Sequence, residues 1–126
     1  MARILCVDDD PEMVSLKREI LERAGHDVTA CISAEEAMNE MERRPFDAVV
    51  TDWRLGDALG RSVVQVAKAH SSVPVVVVSG FVAEAFQAAE PLADLYLEKP
   101  VNPHELVTVM EALLRAKSSD NAPIAS

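Results

Sequence analysis

Ile4-Leu5-Cys6-Val7-Asp8-Asp9-Asp10-Pro11 runs from four apolar residues into three carboxylates and a proline. The apolar run has strand length and no polar alternation, the pattern of a strand covered on both faces. Asp10 suits an N-cap and Pro11 a first helical position, because proline lacks only an N–H that would be orphaned there anyway. The stretch reads as a buried strand, a carboxylate-rich turn and the start of a helix.

The same unit recurs outward along the chain. Met13, Leu16, Ile20 and Leu21 follow at helical spacing, and Gly25 closes the segment. Val28–Ile32 is a second strand. Ser33 and Glu36 then form a capping box, and Ala34, Ala37, Met38 and Met41 mark one helix face, which ends near Pro45. Ala48–Thr51 is a third strand and stops at Asp52. A loop with Gly56 and Gly60 leads to a helix carrying Val63, Val66, Ala67 and His70. Val75–Val78 is a fourth strand, ended by Ser79-Gly80. Val82, Ala85, Phe86 and Ala89 predict a short fourth helix before Pro91. Leu95–Leu97 is a fifth strand. Asn102 and Pro103 open a last helix with Leu106, Val109, Met110, Leu113 and Leu114.

Five alternating β-α units predict an α/β fold: one five-stranded parallel sheet with helices on both faces. At 126 residues the chain has room for one such domain. It is expected to span residues 1–117, with a flexible tail over 118–126. Hydrophobic content of 49% fits a packed core. A net charge of −9 disfavours direct binding to nucleic acid or to an anionic membrane. No apolar run approaches the roughly 20 residues that span a bilayer, and the N-terminus lacks a signal-peptide pattern, so a cytoplasmic protein is expected. Cys6 and Cys31 read as reduced core thiols. His26, His70 and His104 fall away from the strand ends and are expected to be neither ligands nor reactive groups of a site there.

In open α/β sheets, ligands sit at the carboxyl ends of the strands. Asp8, Asp9, Asp52, Ser79 and Lys99 all fall at or just past such ends. Carboxylates brought together there need a counter-charge, and oxygen-only donors favour Mg²⁺ or Mn²⁺ over Zn²⁺. With Lys99 as a second cation and Ser79 as a hydroxyl donor, the set suits phosphoryl transfer, and Asp52 is the candidate nucleophile.

From Arg3 to about Lys117 the chain resembles the response-regulator receiver domains of two-component signalling. The resemblance rests on Val7-Asp8-Asp9-Asp10, Thr51-Asp52-Trp53, Val78-Ser79-Gly80 and Tyr96-Leu97-Glu98-Lys99-Pro100. It implies a flavodoxin-like (βα)5 fold with strand order 2-1-3-4-5, and Asp52 as phosphoacceptor. Asp9, Asp52 and the Arg54 backbone carbonyl would hold Mg²⁺, with Asp8 acting through water. Lys99, the Ser79 hydroxyl and the backbone N–H groups of Trp53 and Gly80 would bind the phosphoryl group. Ser79 and Tyr96 would switch on activation, Arg54 and Phe81 would tune phosphoryl lifetime, and the Lys99-Pro100 bond would be cis. Trp53 is expected as a partly exposed lid. The donor would be a histidine kinase or histidine phosphotransfer protein, and the output would pass to a downstream protein or a phosphorylation-dependent dimer. With no output domain evident after the last helix, the chain would act through a partner or be part of a larger protein.

The sequence departs from the family in the loop after Asp52. Gly56 stands where proline is common, and Leu59 where aspartate is. Two other readings remain open. One is a Mg²⁺-dependent phosphohydrolase of the haloacid dehalogenase type, with Asp8 as nucleophile and Asp10 as acid/base. The other is a receiver-like scaffold that is never phosphorylated. Glu12 and the short chain count against the first. The complete set of Asp9, Asp52, Ser79 and Lys99 counts against the second.

Overall fold

The computed structural model describes residues 2–55, 58–70, 73–80, 93–100 and 102–121. The chain runs β1 (Arg3–Val7), α1 (Pro11–Arg23), β2 (Asp27–Cys31), α2 (Ala34–Arg43) and β3 (Ala48–Asp52). It continues through β4 (Arg54–Leu55), β5 (Ala58–Leu59), α3 (Gly60–His70), β6 (Val75–Ser79), β7 (Leu95–Glu98) and α4 (Pro103–Asn121).

Five strands form one parallel sheet in the order β2-β1-β3-β6-β7. Counting sheet strands alone, this is the expected 2-1-3-4-5. β1 pairs with strands on both sides, Val7 opposite Cys31 in β2 and opposite Thr51 in β3. The strand order therefore switches beside β1 and β3, which puts the ends of those two strands at the crevice.

Alternate residues of each strand feed two cores. Leu5, Val7, Val49, Val75 and Val77 pack with Ala37, Val63 and Ala67 of α2 and α3. Ile4, Cys6, Val50, Val76 and Val78 pack with Val14 and Leu21 of α1 and Leu106 and Met110 of α4. This two-sided burial is why the central strands carry no polar alternation.

The helix ends follow their chemistry. Asp10 accepts the Glu12 N–H at 3.0 Å and caps α1, and Ser33 Oγ accepts the Glu36 N–H at 3.1 Å and caps α2. Gly25, at φ 96°, turns the chain out of α1 through a left-handed conformation that suits glycine.

Four details differ from the sequence reading. The loop after Asp52 contains a short antiparallel pair, β4 with β5, Arg54 opposite Leu59. β2 ends at Cys31, and Ile32 beyond it is 46% exposed on the edge side of the sheet. α4 continues to Asn121, past the expected boundary at Lys117, because no proline or glycine interrupts Ser118-Ser119-Asp120. The buried face of α1 is Val14, Lys17 and Leu21, whereas Leu16 is 47% exposed. The expected fourth helix and Phe81 lie outside the described residues.

Candidate functional site

Parallel strands β1, β3, β6 and β7 end on the same edge, and their last residues set the pocket. Asp8 directly follows β1 and Asp52 closes β3, both almost fully buried. Ser79 closes β6, also buried, and the register places it opposite Glu98, so Lys99 follows directly beside it. The Lys99 N–H donates to the Ser79 carbonyl at 2.9 Å and continues that ladder. The Lys99-Pro100 peptide is cis, as expected.

Asp8, Asp9 and Asp52 each offer a carboxylate oxygen, and these oxygens lie within 4.8 Å of one another. Asp8 and Asp52 come from within the fold, while Asp9 is exposed at the mouth. Lys99 Nζ donates to Asp52 Oδ2 at 2.8 Å. Asp52 Oδ1 is buried and accepts no hydrogen bond. Oxygen-only donors around one orphaned buried oxygen fit a hard divalent cation. Asp8, Asp9 and Asp52 are the side chains that could hold it.

A residue the sequence reading passed over completes the pocket. Lys17, from α1, is 1% exposed, and its Nζ donates to Asp8 Oδ2 at 2.8 Å. The same Nζ lies 3.9 Å from Asp52 Oδ1. Asp8 Oδ1 accepts the Asp10 N–H at 3.0 Å, so both Asp8 oxygens are engaged. Lys17 falls between Val14 and Leu21 on the stripe that faces the sheet, a place that hydrophobicity alone does not single out for a charge. The more hydrophobic Leu16 and Ile20 drew the predicted face off by part of a turn.

The electrostatics separate the two buried carboxylates. Burial pushes the Asp52 carboxyl above its ordinary value, and the Lys99 hydrogen bond and Lys17 charge offset this only in part. Burial also pushes Asp8 up, but the Lys17 hydrogen bond, the Asp10 N–H and both lysine charges outweigh it, so its carboxyl lies below the ordinary value. Lys99 is partly desolvated, which lowers its pKa. Its hydrogen bond to Asp52 and the surrounding carboxylates reverse the balance and raise it.

Other expected site residues are placed less simply. Trp53 is not a lid: it is 2% exposed and packs in the α2/α3 core. Its N–H, expected to face the phosphoryl group, donates to the Val78 carbonyl at 2.9 Å and extends the β3–β6 ladder. Gly80 is exposed, with open space where a Cβ would stand. Arg54 is exposed at the start of the β4–β5 pair. Tyr96 is half-buried on β7, opposite Val77, with its hydroxyl oxygen shielded from solvent. Cys6 and Cys31 are buried free thiols, as expected. His26 lies at the far end of the sheet, where its Nδ1 accepts the Ala2 N–H at 3.3 Å, and His104 is exposed at the start of α4.

The family profile described as response regulator receiver domain matches residues 4–111. The chain belongs to the response-regulator receiver family. It is 32% identical to the response regulator protein PilR of Pseudomonas aeruginosa, over 97% of this chain and 28% of that protein. It is 31% identical to the DNA-binding response regulator MtrA of Mycolicibacterium smegmatis, over 98% of this chain and 55% of that protein. The receiver thus spans about half or less of these curated relatives. Among solved structures, it resembles a CheY-like receiver domain from Methylobacillus flagellatus with a TM-score of 0.81 and 29% identity, over 90% of this chain and 98% of that one. A CheY-like receiver from Methanospirillum hungatei aligns with a TM-score of 0.86 and 27% identity, over 96% and 99%. Response-regulator receivers are signalling proteins rather than turnover enzymes. Among the described residues, no helix is long and apolar enough to cross a membrane.

Proposed function

We propose that this receiver accepts a phosphoryl group on Asp52 from a phosphorylated histidine of a kinase or phosphotransfer protein, and that Mg²⁺ or Mn²⁺ assists. The observation that carries the reading is the convergence on Asp52: Lys99 at 2.8 Å on Oδ2, an orphaned Oδ1, and two further carboxylates within 4.8 Å. In the transfer, an Asp52 oxygen attacks phosphorus, the P–N bond to the donor imidazole breaks, and the imidazole leaves with a proton from solvent. The divalent cation, when bound by Asp9, Asp52 and the Arg54 carbonyl, would neutralise charge on the phosphoryl oxygens. Asp8, with both oxygens already engaged, suits an indirect role through water. Lys99 orients Asp52 and meets the incoming phosphoryl oxygens. Ser79 supplies a hydroxyl and Gly80 an N–H at the open side. The Trp53 N–H is left out of this cradle, because the ladder uses it.

Acyl-phosphate formation would draw Lys99 and Ser79 toward the new charge and bias the β7 and α4 surface, including Tyr96, between two states. That surface would engage a downstream protein or a second copy, in the cytoplasm. The phosphohydrolase reading loses its residues: Asp8 is held by Lys17 and the Asp10 N–H, and Asp10 is an N-cap. Incubation with acetyl phosphate and Mg²⁺ followed by intact mass tests the proposal. Wild type should gain one phosphoryl group and Asp52→Ala none; equal labelling of both proteins would refute it.

A further inference from the structure

Among the described residues, Lys17 is the only buried basic side chain. An ammonium inside a core is unfavourable unless it is paired, and an apolar residue would fill this place on the α1 stripe, between Val14 and Leu21, more simply. Its surroundings explain its presence. Nζ holds Asp8 Oδ2 at 2.8 Å and faces Asp52 Oδ1 from 3.9 Å. Asp52 Oδ1 is the atom that lacks a hydrogen bond, and Lys99 is committed to the other oxygen. Lys17 therefore stands between two of the three carboxylates that a divalent cation would use.

We infer that Lys17 is a resident counter-ion of the carboxylate pocket, which neutralises Asp8 and Asp52 in the metal-free protein and competes with the divalent cation for them. The inference rests on reading the pocket as a divalent-cation site, and it assigns that site a property of its own. The pocket keeps its carboxylates together without metal. An incoming cation meets a fixed positive charge a few ångströms away, which weakens its binding on the order of tenfold or more. With Asp8 held by the lysine, the cation depends on Asp9 and Asp52. Lys17 is thus a positioning residue that sets metal affinity, distinct from Lys99, which meets the phosphoryl group.

The test compares wild type, Lys17→Met and Lys17→Arg by calorimetric Mg²⁺ titration and by thermal melting in MgCl₂ against NaCl of equal ionic strength. Methionine keeps the length of the side chain and removes the charge, while arginine keeps the charge. Lys17→Met should bind Mg²⁺ about tenfold tighter or more, and its melting temperature should rise with Mg²⁺ more steeply than that of wild type. Lys17→Arg should keep the weaker affinity. Equal or weaker Mg²⁺ binding by Lys17→Met overturns the inference alone. No binding by any of the folded proteins overturns the cation-site reading as well. If Lys17→Met folds only with a counter-ion, rescue by Mg²⁺ and not by NaCl supports the inference, and failure of Mg²⁺ to rescue it overturns it.

Discussion

Lys99 Nζ lies 2.8 Å from Asp52 Oδ2, although 47 residues separate them in the chain. The pair exists because β3 and β7 both flank β6 and all three strands end on the same edge. The contact is asymmetric: the Asp52 side chain is buried at 3% exposure, and the Lys99 side chain is 40% exposed. The lysine is thus the solvent-accessible partner of the pair, and the carboxylate the enclosed one.

Replacing Lys99 by methionine separates chemistry from stability. Labelling by acetyl phosphate should slow by about 10²-fold, the usual effect of losing one aimed donor at a developing charge. Because Lys99 is partly exposed but its partner Asp52 is buried, stability should fall only moderately, by about 1–3 kcal/mol. Initial labelling rates and urea midpoints measured side by side check both halves. A large loss of stability with intact labelling would contradict the assignment.

The two buried carboxylates should respond oppositely to neutralisation. Asp52 has a raised pKa, so its ionised form is disfavoured in the fold at neutral pH, and that penalty fades as pH falls through its folded value. Asp52→Asn should therefore raise the urea midpoint at pH 7. Asp8 has a lowered pKa, so its contribution is present above the ordinary carboxylate value and is lost as pH falls below it. Asp8→Asn strips the buried Lys17 of its 2.8 Å partner and should destabilise by about 3–5 kcal/mol. Midpoints moving in the same direction would count against this account of the pocket.

The Cys6 thiol predicts the alkaline limb. Burial raises its pKa from 9.0 to about 12. Below pH 9 the thiol is protonated in both folded and unfolded chains and adds no pH dependence. Between 9 and about 12 the unfolded chain releases the proton that the fold retains, so stability falls as pH rises. Urea midpoints above pH 9 should fall more steeply for wild type than for Cys6→Ala; identical slopes would place the thiol in contact with water.

Leu106 and Met110 carry α4 onto the sheet, both fully buried. Leu106→Ala should cost about 2–5 kcal/mol through the cavity it leaves, while Leu113→Ala, half-buried in the next turn, should cost less. Chemical denaturation of the two variants gives the comparison, and the reverse ranking would mean that α4 packs with a different face.

Much of the fold was legible in the sequence because its strands are uniform. Ile4–Val7, Ala48–Val50 and Val75–Val78 are short, continuous and rich in β-branched residues, which suits strands covered on both sides, and the strand-end rule then gathers Asp8, Asp52, Ser79 and Lys99. Lys17 was not legible by hydrophobicity, since the buried stripe of α1 contains a charge that only the pocket explains. Trp53 departs from expectation for the opposite reason: a residue beside the pocket carboxylate suggests a lid, but the ladder from β3 runs one residue past Asp52 and turns the indole into the core. The β4–β5 pair has no counterpart in the sequence pattern, because two-residue strands carry no periodicity.

Borohydride trapping of the phosphorylated protein tests the central claim most directly, because hydride reduces an acyl phosphate to an alcohol at the modified residue. After treatment with acetyl phosphate and Mg²⁺, reduction and peptide mapping should place the modification on Asp52 and on no other carboxylate. Reduction at Asp8 or Asp9, or phosphate retained on a histidine with Asp52 unchanged, would contradict it.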